Sequence, residues 1–270
     1  MISSSTRRRR GAAAVLAAAA LATSAACTSS SPGATNATTT PSATTPSATA
    51  TTATGGDVKA ACAAELEING TEFPGIDPDA PPATAQELQD FATKIGPLAK
   101  TLRAHLPAEL TDEVDVLISV VNAAEQGTPI DYEGSGLNEA GQAVDAWMVE
   151  NCGFPKLSVT NSAGTLTGLP ASAPAGPVAI TFTNTGDPAK AGFVLLLGKV
   201  KDGVAVTAAD IAAGTADLET TTDIVTGVQP LAGQPGYGVT ELPAGRYVVV
   251  SPLGAPPQFA GFATADLDVR

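Results

Sequence analysis

A change of hydrophobic period at Phe154-Pro155 constrains this chain more than any other feature. From Asp57 to that point apolar residues return every three or four positions, the spacing of one helix face. Beyond it they return every second position, as in a strand with one buried face. A chain divided this way is expected to be an α+β protein of two bodies, with residues 57–154 helical and residues 155–270 a β-sandwich.

Local signals refine both halves. Asp57 is placed to cap a first helix that carries Val58, Cys62 and Leu66 one turn apart and stops at Asn69-Gly70. Thr84, followed three residues later by Glu87, forms a capping box. It opens a run in which Leu88, Phe91, Ile95, Leu98 and Leu102 share a face, and Gly96-Pro97 is expected to kink or split that run. Pro107 opens a third helix with Leu110, Val114, Leu117 and Val121 on one stripe. Ser135 or Asn138 opens a fourth, in which Val144, Trp147, Met148 and Cys152 line up. Four such helices predict a small four-helix bundle.

In the second half Val178, Ile180 and Phe182 alternate with small or polar residues, and so do Ala263, Ala265, Leu267 and Val269. Phe193 to Leu197 and Val248 to Val250 are short continuous apolar runs suited to central strands. Turn signals lie between them at Pro174 to Pro177, Asn184 to Gly186, Gly233 to Gly236 and Pro243 to Gly245. Thr207 and Asp210 mark one helical turn within this half.

The N-terminus reads as an address. Arg7, Arg8, Arg9 and Arg10 precede an apolar stretch from Gly11 to Ala22, and small residues lead from there to Cys27. That is the three-part layout of an export signal, and its apolar part is shorter than the ~20 residues of a membrane span. The arrangement resembles bacterial lipoprotein precursors, with Ser24 where that family usually has Leu. The resemblance implies a signal peptide over residues 1–26 and diacylglycerol plus fatty acyl chains on Cys27. It also implies a partner in the membrane, reached through that anchor at the outer face of the cytoplasmic membrane. The alternative is cleavage near Ala22 and secretion with Cys27 unmodified. Residues 27–56 are the lipidated Cys and a Thr/Ser/Pro/Ala-rich tether. After Cys27 it carries no charge and no large apolar residue, which predicts a disordered spacer on the order of 30 Å.

Cysteine arithmetic agrees with export. The chain has three cysteines; setting Cys27 aside leaves Cys62 and Cys152, which are expected to form a disulfide. Closing a loop of that size stabilises a fold by roughly 4 kcal/mol. A redox thiol is the competing reading, but neither cysteine has a C-x-x-C partner or a flanking cation.

Two segments of the second half carry a further resemblance. Leu242-Pro243-Ala244-Gly245-Arg246-Tyr247 resembles the turn and strand of cupredoxin-like domains. Ala175-Gly176-Pro177-Val178 with Phe182-Thr183-Asn184-Thr185-Gly186 resembles their aGpv…f.N.G strand. The whole layout, with Trp147, Asn151-Cys152-Gly153-Phe154 and then a plastocyanin-like sandwich, is similar to envelope lipoproteins of high-GC Gram-positive bacteria. The resemblance implies a Greek-key cupredoxin-like β-sandwich behind a disulfide-linked four-helix bundle. In copper-binding members two His and a Cys hold the metal. The matching positions here are Lys190 or Ala191, Ser251 and Gln258, a degenerate copper site from which no metal or other cofactor is expected.

Composition excludes more than it assigns. The chain holds 27 acidic and 14 basic residues, for a net charge of −13. Losing the four signal arginines leaves 14 − 4 = 10 basic residues and a net charge of 10 − 27 = −17. Nucleic-acid binding is therefore not expected, because it needs clustered Lys and Arg. The single histidine, His105, rules out any site needing two imidazoles. At the end of the second helical run it is expected to interact with the helix C-terminus. No nucleophile elbow or phosphate loop is present: Gly134-Ser135-Gly136 reads as an ordinary loop. Asp77, Asp79 and Glu72 read as a solvated loop, and Asp112, Glu113 and Asp115 as the polar first turns of a helix. The expectation is a non-enzymatic surface protein with a binding or structural role, whose partner is an envelope protein or cell-wall component. A small-ligand or metal carrier is the alternative.

Overall fold

The structure is a computed structural model that describes residues 56–270 apart from 77–79, 133, 232 and 257. The expected signal segment, Cys27, the expected tether up to residue 55, and Asp77 and Asp79 lie outside the described residues. The described residues belong to one compact unit.

Four helices come first: α1 (Val58–Asn69), α2 (Ala85–His105), α3 (Thr111–Glu125) and α4 (Leu137–Asn151). Their starts follow from local chemistry. The Asp57 carboxylate accepts hydrogen bonds from the Lys59 and Ala60 N–H groups at 3.0 and 3.2 Å, satisfying donors that the first turn cannot. The Thr84–Glu87 capping box forms in both directions. The expected split at Gly96-Pro97 does not occur: α2 runs on through both residues. Pro97 and Thr93 both lie on the exposed side, so the carbonyl that Pro97 leaves without its helical donor faces water. The buried side (Leu88, Ile95, Ala99, Leu102) holds the helix together. Cys62 and Cys152 are joined by a disulfide, with their Cα atoms 5.8 Å apart, pinning α1 to the end of α4.

Among the described residues nine strands and two short α-helices follow. β1 (Lys156–Ser162), β2 (Thr165–Thr167), β4 (Gly176–Thr185) and β7 (Gly236–Leu242) form one sheet in the order β2-β1-β4-β7. The other sheet holds β3 (Ser172–Ala173), β5 (Leu195–Val200), β6 (Thr222–Val228), β8 (Gly245–Ala255) and β9 (Gln258–Val269), in the order β3-β9-β8-β5-β6. β1 runs parallel to β4, and β3 parallel to β9; the other pairings are antiparallel. α5 (Ala208–Ala212) is the turn expected at Thr207, and α6 (Leu218–Thr221) leads into β6.

The period of two builds the layers. Leu157, Ile180, Phe182 and Leu242 of the first sheet meet Leu197, Tyr247, Val249 and Leu267 of the second in one core, which makes the β portion a sandwich. The intervening residues face outward. Val248 and Val250 pack against Val206 and Ile211 under α5, so β8 is buried on both faces and reads as a continuous apolar run. On the other side Ala179 of β4 and Val239 of β7 belong to the helical core with Ile95, Leu102, Val114 and Met148. The helical core is therefore completed by the sheet, with α1 and α4 both resting on β7. No helix among the described residues is long and apolar enough to cross a membrane.

Candidate functional site

β7 is an edge strand of the first sheet, and its outer backbone groups need partners. Side chains from the helices supply them. Gln142 of α4 pairs with Tyr237 in both directions: its Nε2 donates to the Tyr237 carbonyl at 3.0 Å, and its Oε1 accepts from the Tyr237 N–H at 2.8 Å. Two residues along, Asn69 at the end of α1 donates to the Val239 carbonyl at 3.1 Å and to Asp145 Oδ1 at 3.0 Å. An amide and a carboxylate thus stand in for the missing neighbouring strand, and this is what seats α1 and α4 on the sheet.

Behind this seam lies a cavity of about 300 Å³, reached by residues of α1, α3, α4 and the loops before α2 and α4. Its walls are mostly apolar and include Phe73, Leu117 and Tyr132. Phe73 stacks near Phe91 (ring centroids 4.8 Å apart) and Tyr132 (6.5 Å), and the Tyr132 hydroxyl donates to the Pro74 carbonyl at 2.8 Å. Three carboxyl groups, Glu65, Glu113 and Asp145, line the same space.

The three differ in what holds them. Asp145 is 9% exposed and accepts from Asn69, yet burial outweighs that bond and raises its pKa to about 7. Glu65 is 5% exposed and has no hydrogen-bond or ion-pair partner among the described residues. Burial first, and the neighbouring Asp145 charge second, push its carboxyl well above the usual range. Glu113, expected on the polar side of α3, turns an oxygen inward instead, where Oε2 is buried without a partner among the described residues. No Lys, Arg or His among the described residues lines the cavity. The carboxyls do not cluster as metal ligands: no group of three or more His, Cys, Asp or Glu among the described residues is placed to hold an ion.

The positions matched to a copper site gather at one end of the sandwich. Lys190 and Ala191 close a short turn; the Lys190 carbonyl accepts from Asn161 Nδ2 at 2.8 Å, and the Ala191 carbonyl accepts from the Gly254 N–H at 2.8 Å. Ser251 is fully buried in β8, its Oγ without a hydrogen-bond partner among the described residues. Gln258 opens β9 opposite Ala255, exposed. The side chains assembled are an amine, a methyl, a hydroxyl and an amide, with no imidazole or thiolate, so this donor set does not fit a blue-copper ion. Gly192 fills the space instead: a Cβ there would collide with Ser251 Oγ, and both its backbone groups are held by the Asn184 side chain at 2.7 and 2.9 Å.

His105 ends α2, where its Nδ1 accepts from the Asp57 N–H at 3.0 Å. This bond ties the end of α2 to the start of α1, with His105 in the last helical turn as expected. Asp112 and Glu113 do lie in the first turn of α3, and Asp115 pairs with Arg103 at 2.7 Å. Sequence reasoning passed over Glu65 and Asp145. Their signal was position: Glu65 lies three residues from both Cys62 and Ile68 on the apolar stripe of α1, and Asp145 lies three residues before Met148 on that of α4.

No protein-family model matches the chain, and no curated protein sequence does. Among solved structures it is similar to auracyanin A, a "blue" copper protein from the green thermophilic photosynthetic bacterium Chloroflexus aurantiacus. That match is 15% identical, covers 43% of this chain and 99% of that one, and has a TM-score of 0.27. It is also similar to a rusticyanin mutant, at 22% identity, 43% of this chain, 78% of that one and a TM-score of 0.23.

Proposed function

We propose that this chain is an exported surface lipoprotein, anchored through Cys27 to the outer face of the cytoplasmic membrane. In this reading it has a non-enzymatic binding role toward another envelope component. The observation that carries the proposal is the Cys62–Cys152 disulfide. It takes two of the three cysteines and leaves Cys27, directly after an export-type signal, as the unmatched thiol. A body of net charge −17 after signal removal is repelled by anionic lipid, so attachment rests on covalent chains alone.

In this reading the β portion is a Greek-key cupredoxin-like sandwich that keeps the frame and has replaced the copper ligands. The helices form a four-helix bundle whose open side the sheet closes. What supports it is the set of quoted segments: Gly176 to Gly186 supplies β4 and its turn, and Leu242 to Tyr247 joins β7 to β8.

The test is fractionation of cells producing the wild-type chain and Cys27→Ser. Wild type is expected in the membrane fraction and in the detergent phase, and the variant in the medium. Equal release of both would overturn the anchor. A second reading, a small-ligand carrier held at the envelope, is favoured by one observation: the mostly apolar cavity with the unpartnered Glu113 oxygen in its wall.

A further inference from the structure

We propose that the cavity between α1, α3 and α4 binds a small organic cation, an ammonium group on an apolar body, with Glu65 as its counter-ion. Asp145 and Glu113 set the surrounding negative field. The inference rests on the ligand-carrier reading and supplies the chemical class that reading lacks.

Three observations converge on it. Glu65, 5% exposed, lines the cavity with no hydrogen bond from a described residue, and Glu113 Oε2 is buried in the same wall without a partner among the described residues; leaving such an atom unsatisfied is costly. Asp145, by contrast, has a structural task in joining α1 and α4 to β7. The charge around Glu65 is of one sign, since Glu113 and Asp145 line the same space and no basic residue among those described does. An anion is excluded on that ground, and a neutral ligand would leave the carboxyls as they are. The remaining wall is apolar and aromatic: Phe73 and Tyr132 offer ring surface to a cation, and Leu117 offers contact to its hydrocarbon. That lining, with no grouping of three ligating side chains among the described residues, selects an organic cation over a bare metal ion. A volume of about 300 Å³ admits one small molecule.

Binding has a proton signature. The ligand's charge favours the ionised forms of Glu65 and Asp145, which burial disfavours, so entry of the cation releases protons at pH 7. The titratable groups facing Glu65 across the cavity are Asp145 from α4, Glu113 from α3 and Tyr132 from the loop before α4.

The experiment is calorimetric titration of the full chain, purified in detergent, with three probes of similar size: phenethylammonium, 2-phenylethanol and 3-phenylpropionate. The expected result is saturable binding of the ammonium at least tenfold tighter than the alcohol, with no binding of the carboxylate. Its heat at pH 7 should change with the ionisation enthalpy of the buffer. Glu65→Gln should weaken ammonium binding at least tenfold; Glu113→Gln, at a half-buried position, should weaken it severalfold and serves if the first variant fails to fold. Equal affinity for ammonium and alcohol would overturn the cation assignment and leave a carrier of neutral ligands. Displacement of the ammonium by equimolar Ca²⁺ would overturn it in favour of a metal site. Absence of saturable binding by all three probes would overturn both this inference and the carrier reading.

Discussion

Replacing Asp145 by Asn tests the electrostatics of the seam between helices and sheet. The carboxyl has an ordinary value of 3.8 and is raised to about 7 in the folded chain, burial outweighing the bonds from Asn69 and Val239. The native state therefore holds this proton more tightly than the unfolded state. The associated stability is fully present below pH 3.8 and is lost as pH rises toward 7. A shift of about three units, at 1.36 kcal/mol each, corresponds to a loss of about 4 kcal/mol across that window. An Asn side chain keeps an oxygen for Asn69 and carries no charge to desolvate. The expected outcome is a variant close to wild type at pH 4 and more stable by up to about 4 kcal/mol at pH 8. Urea titrations at half-unit pH steps, without reductant, measure the difference between the two proteins, in which carboxylates remote from Asp145 cancel and Glu65, freed of the Asp145 charge, changes in the same direction. A difference that does not change with pH, or a variant less stable than wild type at pH 8, would refute the reasoning.

Other perturbations separate the remaining parts of the account. Reducing the disulfide, or Cys62→Ser, frees a separation of 90 residues and should cost about 4 kcal/mol, read as a lower melting temperature without reductant for the variant than for wild type. Gln142→Ala leaves both Tyr237 backbone groups without their present partner and should cost about 2 kcal/mol in urea, with faster hydrogen exchange at the Tyr237 amide. Ser251→Ala removes a fully buried hydroxyl with no partner and should be neutral or stabilising by about 1 kcal/mol; a loss of more than that would mean the Oγ has a partner after all.

What the sequence made legible was local chemistry. The caps at Asp57, Thr84 and Thr207 need only residues two or three positions away, and all three form. The alternation Val178, Ile180, Phe182 survives as the inner face of β4 because one face of that strand meets the second sheet. Pro97 does not split α2 because the cost of proline in a helix depends on where the freed carbonyl lies, and here Thr93 and Pro97 are both on the exposed side. β1 alternates as clearly, Leu157 then Val159, but its third inward residue is Asn161, a polar side chain that is fully buried. Asn161 is satisfied by Asn184 and the Lys190 carbonyl, partners 23 and 29 residues away that no local window contains. Glu65 and Asp145 were missed for the same kind of reason. A carboxylate on a helix reads as its solvent face unless the helix is known to lie against a sheet edge, and that contact spans 170 residues between Asn69 and Val239.

The account as a whole depends on the state of the three cysteine sulfurs, and intact mass spectrometry of the membrane-associated protein reads all three at once. The account predicts a chain beginning at Cys27, heavier than its sequence by a diacylglyceryl group and any further acyl chain, and lighter by two hydrogens for the Cys62–Cys152 bond. A mass matching an unacylated chain, recovered from the medium, would contradict it.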